Sequence, residues 1–231
     1  MKRLLLFSGL FAGMCCSVTA FSQTSNAIVI KAGEDVSLIY RQIFRYPDFQ
    51  FAKVYLNDGD SAGNRLNWNL YMGAIQFINA TGDTLVMEDP SIVKKIVVGK
   101  DTIYRGGDDF YELVANFKKA RLVVTRKLIL ADEQKIGAYG LPTSTHSIET
   151  KKSLKAEQNY QLKLQEDLVF TKEMRYFFVE NGNQFQPVTK KNLLKGFPKH
   201  KDAIENYLKQ NNINWKNEED LRKLFSFLDQ L

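Results

Sequence analysis

Cysteine is almost missing from this 231-residue chain: Cys15 and Cys16 are the only two, and both fall within the first twenty positions. Everything beyond them lacks a disulfide staple, a thiolate metal site and a cysteine nucleophile. Histidine is as scarce, with only His146 and His200. Two isolated imidazoles supply no pair at i, i+4 spacing, so no zinc-enzyme pattern arises, and no metal or cofactor is expected. Long apolar runs are also absent. After residue 20 nothing approaches the roughly eighteen apolar residues of a spanning helix, so no integral membrane segment is expected there. There is no Gly-x-Ser-x-Gly elbow to expose a serine. "VVGKDT" lacks the frame of a phosphate loop and runs into a strand.

What the chain does have starts at its N-terminus. Lys2 and Arg3 precede the apolar run "LLLFSGLFAGMCC", and Val18-Thr19-Ala20 offers small residues at cleavage positions. This is the layout of a secretory signal peptide over residues 1–20. Lipid attachment is the weaker reading, because Met14 and Cys15, not small residues, precede the two cysteines; an uncleaved anchor is weaker too. The expected location is therefore periplasmic, outer-membrane associated or extracellular. Cleavage removes Lys2 and Arg3 and no acid, which lowers the net charge from +6 to +4. The densest positive stretch is "KKNLLKGFPKHK", Lys190 to Lys201, with five lysines, one histidine and no arginine. Lysines on the wet face of short helices account for it better than a tailored phosphate site. Nucleic acid is not an expected partner.

Residues 21–134 read as a mainly antiparallel β region. "RLNWNLYM" sets Leu66, Trp68 and Leu70 against Asn67, Asn69 and Tyr71, the period-two pattern of a strand with one face buried. "AIQFI", "TLVME", "IVKKIVV", "DTIYR", "YELVANF" and "RLVVTRKLIL" follow at spacings too short for parallel crossovers. "YLNDGDSAGNRL" has the look of a calcium loop. Counted from Asp58, however, its fifth and twelfth positions are Ala62 and Asn69, and its flanks read as strands, so it is expected to be a hairpin turn. "GEDVSLIYRQIFRYPDF" is ambiguous between helix and strand up to Pro47. Residues 135–155 read as a polar loop or linker. Residues 156–231 read as a β-hairpin, "YQLKLQEDLVF" and "MRYFFVENGNQFQPV", followed by helices. Thr189 and Asn217 are candidate caps, Pro198 suits a first turn, and Leu221, Leu224, Phe225, Leu228 and Leu231 form an apolar stripe. The expected fold class is α+β: an antiparallel β-meander sheet, open or shaped like a barrel or sandwich, with C-terminal helices.

"SNAIVIKAGEDV", "YPDFQFAKVYLNDG", "LNWNLYMGAIQFINATGDTL" and "IVVGKDTIY" resemble a group of uncharacterised secreted or periplasmic proteins of Bacteroidetes. The resemblance continues weakly in "GAYG" and in the C-terminal helices. It implies a Gram-negative envelope or extracellular setting and no particular activity. In that setting Asp60-Ser61-Ala62, Asp83-Thr84-Leu85 and Asp101-Thr102-Ile103 look like the tripeptide such bacteria O-glycosylate. Ser61, Thr84 and Thr102 are accordingly candidate acceptors at expected turns. Asn79-Ala80-Thr81 fits an N-glycosylation sequon and is discounted.

No catalytic set is recognised. His146 lies among Ser144, Ser147 and Glu149, but sequence neighbours rarely form a triad. Asp108-Asp109 after Gly106-Gly107 reads as solvated turn formers. Trp68 or Tyr71 would stack a sugar only if turned outward, and core packing is the expected role of Trp68. The expected function is a non-catalytic binding or structural module contacting an envelope protein or glycan. The alternative is a hydrolase of carbohydrate or peptide using acids that the fold brings together.

Overall fold

Period-two patterning becomes a sheet in the computed structural model, which describes residues 27–31, 33, 42–130, 168–180 and 184–231, with the backbone of 135–136 and 142–143. Strands β1 (Ala27–Ile30), β2 (Gln50–Leu56), β3 (Ser61–Asn69), β4 (Ala74–Ile78) and β5 (Thr84–Val86) come first. β6 (Val93–Val98), β7 (Asp101–Gly106), β8 (Asp109–Asn116) and β9 (Arg121–Leu130) follow. β10 (Lys135–Ile136) and β11 (Pro142–Thr143) make a separate small ladder, and β12 (Leu168–Val179) and β13 (Gln186–Pro187) rejoin the main sheet. Three helices end the chain: α1 (Lys190–Gly196), α2 (Lys201–Gln210) and α3 (Glu218–Leu228). The architecture is the expected α+β arrangement of antiparallel sheet and C-terminal helices.

The eleven-stranded sheet runs β1-β12-β9-β8-β7-β6-β2-β3-β4-β5, with β13 on β12. Its order departs from a simple meander in three places: β1 lies against β12, β12 against β9, and β6 against β2. The chain leaves β5, passes a 3₁₀ turn at Pro90–Ile92 and lays β6 against β2, with Val54 opposite Ile96. The sheet is open, yet it curls: Leu128 N donates to Leu70 O at 3.0 Å, setting the end of β3 beside β9.

Register then sorts the side chains. Val54, Ile96, Ile103, Glu112, Val124 and Tyr176 face one another in turn across six strands and share the inner face. Leu66, Trp68, Ile75 and Phe110 fill the inner face at the β2–β8 side. The helices close it at the other side, where Leu193, Ile204, Leu221, Leu224, Phe225 and Leu228 pack on Leu122, Val124, Tyr176 and Phe178. The α3 stripe is thus core against the sheet. Thr189 and Asn217 cap α1 and α3, accepting from Asn192 N and Asp220 N. Lysines 190, 191, 195, 199 and 201 are exposed, and Lys190 reaches Glu205 at 3.1 Å.

Two expectations change. The second half of β3 is buried on both faces, since Asn67 and Asn69 are only 1% and 3% exposed. The cause is the segment before β2, which runs along β3: Arg45 N donates to Trp68 O, and Leu70 N to Ile43 O. Asn67 exchanges hydrogen bonds with the backbone of Tyr46, and Asn69 accepts from Tyr71 N and Met72 N, so both buried amides are paired. The second change is β12, one twelve-residue strand spanning the expected break between "DLVF" and "MRYFFV", because β9 pairs with it over ten positions. The proposed signal peptide, the expected strand before Leu168, most of residues 135–155 and residues 181–183 lie outside the described residues.

Candidate functional site

On the outer face the same register builds a different row. Ser61, Tyr55, Lys95, Tyr104 and Tyr111 stand opposite one another in turn on β3, β2, β6, β7 and β8. Tyr111 ends the row in an aromatic cluster. Phe185 stacks on it at 4.0 Å between centroids and 17°, and Phe177 meets it edge-on at 5.1 Å. Gly106 makes this seat possible: a Cβ there would overlap the Phe185 ring and stand 3.0 Å from Tyr111. A glycine near the end of a strand thus marks a close approach as well as the turn that follows it.

Above this row lies a cleft of about 590 Å³, walled by Tyr55, Tyr104 and Phe185, well within the usual range for a ligand site. Its rim is fixed by Asn57, whose N donates to Ile92 O and whose Nδ2 donates to Ser91 O at 2.8 Å. Lys94, Lys95, Arg105 and Arg121 also line it, and none of the lining residues is acidic. Three of these cations lie over aromatic rings. Arg121 is 4.6 Å from the Tyr104 centroid, Lys95 Nζ is 4.7 Å from that of Tyr55, and Arg105 is 4.9 Å from that of Phe110. The Nε of Arg105 is buried with no hydrogen-bond partner among the described residues. Burial raises the Tyr111 hydroxyl above its ordinary value, with Asp109 adding to the rise and the Arg105 charge opposing it.

A second polar centre lies on the inner face. Glu112 receives Arg45 through Nε at 2.7 Å and Nη2 at 2.8 Å, and Arg126 through Nε at 2.9 Å. Burial alone would raise this carboxyl, but the two guanidiniums outweigh it and hold it below the ordinary glutamate value. Arg45 also stands 3.9 Å from Asp101, which accepts from the Tyr46 hydroxyl. The charges of this centre balance within it.

Acids do not gather for catalysis at the positions the sequence singles out. Asp109 is bound to Lys127 at 2.8 Å, beside an exposed Asp108. Among the described residues no group of three or more His, Cys, Asp or Glu side chains could hold a metal ion. His146 and its neighbours lie outside the described residues, and His200 sits in a 3₁₀ turn ahead of α2. The Asp58 loop is the hairpin turn between β2 and β3: Asp60 N donates to Asp58 Oδ1, Leu56 N to Asp60 O, and Gly59 takes φ +102°. Asn79 is likewise engaged in its own turn, accepting from Thr81 N and Asp83 N.

The three candidate glycosylation residues are dispersed. Ser61 is exposed at the start of β3, and Thr84 is half-buried at the start of β5. Thr102 is half-buried within β7, opposite Val97, instead of in a turn. Trp68 is core at 2% exposure, and Tyr71 packs edge-on against Phe170. The rings that wall the cleft are Tyr55, Tyr104 and Phe185, which sequence reasoning missed; Phe51, 72% exposed, also points outward. Tyr55 and Tyr104 alternate with buried Val54 and Ile103, the one local hint of outward placement. Among the described residues no helix is long and apolar enough to cross a membrane. Comparison with protein-family models, with curated proteins and with solved structures gives no match in any of the three.

Proposed function

We propose that this protein is exported to the Gram-negative envelope or beyond, and that it works there by contact, as a non-catalytic module that holds a glycan. One observation carries the reading: a ligand-sized cleft walled by Tyr55, Tyr104 and Phe185, rings presented from three separate parts of the chain on one rigid sheet. Aromatic faces that stay partly exposed offer flat apolar surface to the C–H face of a sugar ring, and the sheet beneath them limits the ordering cost of binding. Export is supported by the arrangement of residues 1–20, and the envelope setting by the resemblance already described. The hydrolase alternative finds less support, because Asp109 is engaged with Lys127, and Glu112 with Arg45 and Arg126.

Two measurements test this. The protein recovered from the periplasm or medium is expected to begin at Phe21; an intact Met1 on that fraction would sink the export reading. In affinity electrophoresis the purified protein is expected to be retarded by at least one polysaccharide, and the Tyr104→Ala and Phe185→Ala variants to lose that retardation. Mobility unaffected by every polysaccharide tried would remove the glycan reading.

A further inference from the structure

We infer that the ligand of this cleft is an acidic saccharide, whose carboxylate or ester-linked sulfate or phosphate is held by Lys95 and Arg121 while a sugar ring lies on the aromatic wall. The inference rests on the glycan reading and adds the sign of the ligand's charge.

The first argument is the distribution of charge partners. Arg45, Arg126, Lys127, Arg175, Lys190 and Arg222 each have a carboxylate within salt-bridge distance. Lys94, Lys95, Arg105 and Arg121 have none among the described residues, which is equally true of exposed lysines such as Lys100, Lys191 and Lys199, but these four meet in a single cleft without an acidic lining residue. Like charges gathered in a concave site raise its potential and concentrate ions of the opposite sign. A neutral sugar would leave that potential unanswered.

The second argument is how the cations are held. Ring faces, not carboxylates, support Arg121 and Lys95. A guanidinium supported through its flat face keeps its N–H edge free, and that edge matches the paired oxygens of a carboxylate, sulfate or phosphate. The cleft is compact, with four cations at one end of a sheet, and it has no basic stripe of the kind that tracks a nucleic-acid backbone.

The test compares ligands that differ in charge alone. Polygalacturonate and its fully methyl-esterified form share a backbone; heparin supplies sulfate esters, dextran is a neutral control, and single-stranded DNA is a non-saccharide polyanion. The full processed protein is expected to bind polygalacturonate, heparin or both at least about tenfold more tightly than the esterified polymer or dextran. That binding should weaken about tenfold or more as sodium chloride rises from about 0.05 to about 0.5 M. Lys95→Gln and Arg121→Gln should each lose most of it. Lys191→Gln/Lys199→Gln, which removes charge from exposed helix positions elsewhere, should lose none. If Arg121→Gln fails to fold, Lys95→Gln reads the same site.

Equal affinity for the charged and esterified polymers would overturn the inference and leave the glycan reading intact. So would unchanged binding in the cleft variants, or a loss in the helix variant that equals theirs. Preference for DNA over every acidic saccharide would also overturn it. Failure to bind any saccharide would instead remove the glycan reading on which the inference rests.

Discussion

Glu112 is where one residue decides the most. It occupies the apolar row between Ile103 and Val124, with its side chain 8% exposed. A lone carboxylate there would be costly, and the two arginines make it tolerable. Because its folded pKa lies below the ordinary glutamate value, its stabilising contribution is fully present above that value and is lost as pH falls through the folded pKa. Glu112→Gln is expected to cost about 3 kcal/mol at neutral pH, since it leaves two guanidiniums without their carboxylate. Urea titrations at a series of pH values check both parts: the gap between wild type and variant should narrow as pH drops below about 4. A gap independent of pH would show that the carboxylate charge is not what stabilises. Little of this is legible in the sequence: Arg126, 14 residues on, is set beside Glu112 by the β8–β9 pairing, but Arg45 lies 67 residues away and reaches it only through the fold. Trp68 is legible as core, since its buried neighbour Leu66 and its alternation state the answer locally.

Elements were readable to the extent that their causes are local. The start of α3 is signalled within four residues, Asn217 to Asp220. The structure turns that signal into a cap, with Asp220 N donating to Asn217 Oδ1, while Asp220 Oδ2 accepts from Asn214 N in the chain ahead of the helix. Acids in the first turn also meet the positive end of the helix dipole. Asn217→Ala is expected to destabilise by about 1 kcal/mol, read as a lower denaturation midpoint at unchanged denaturant slope. No loss would mean that Glu218 and Asp220 start the helix alone. β3 shows the opposite case. Its alternation predicts one wet face, and the covering segment before β2 comes from a stretch whose own pattern is ambiguous. The burial of Asn67 and Asn69 depends on that other segment, so no inspection of "RLNWNLYM" reveals it.

At the scale of the whole molecule, short turns announce antiparallel neighbours but not the long-range choices, β1 against β12 and β6 against β2 instead of β5. The cleft depends on the second choice. Tyr55 meets Lys95 only because β2 and β6 adjoin, and Phe185 arrives from beyond β12. The same topology predicts how stability is distributed. β9 is paired on both sides, to β8 and along ten positions to β12, and α1 to α3 cover Leu122 and Val124 on its inner face. β5 is three residues long and pairs only with β4, and its Leu85 is 42% exposed. Opening β5 breaks one short ladder, whereas opening β9 requires the helices to leave and two ladders to part. Amide hydrogen exchange is therefore expected to be slowest at Leu122 to Thr125, near the limit set by global unfolding, and faster by several orders of magnitude at Thr84 to Val86. Mass spectrometry on peptides from the two strands reads the difference directly. Equal protection that falls away on dilution would mean a second copy covers the β5 edge; equal protection at every concentration would mean the sheet opens as one unit, contrary to this account of its two ends.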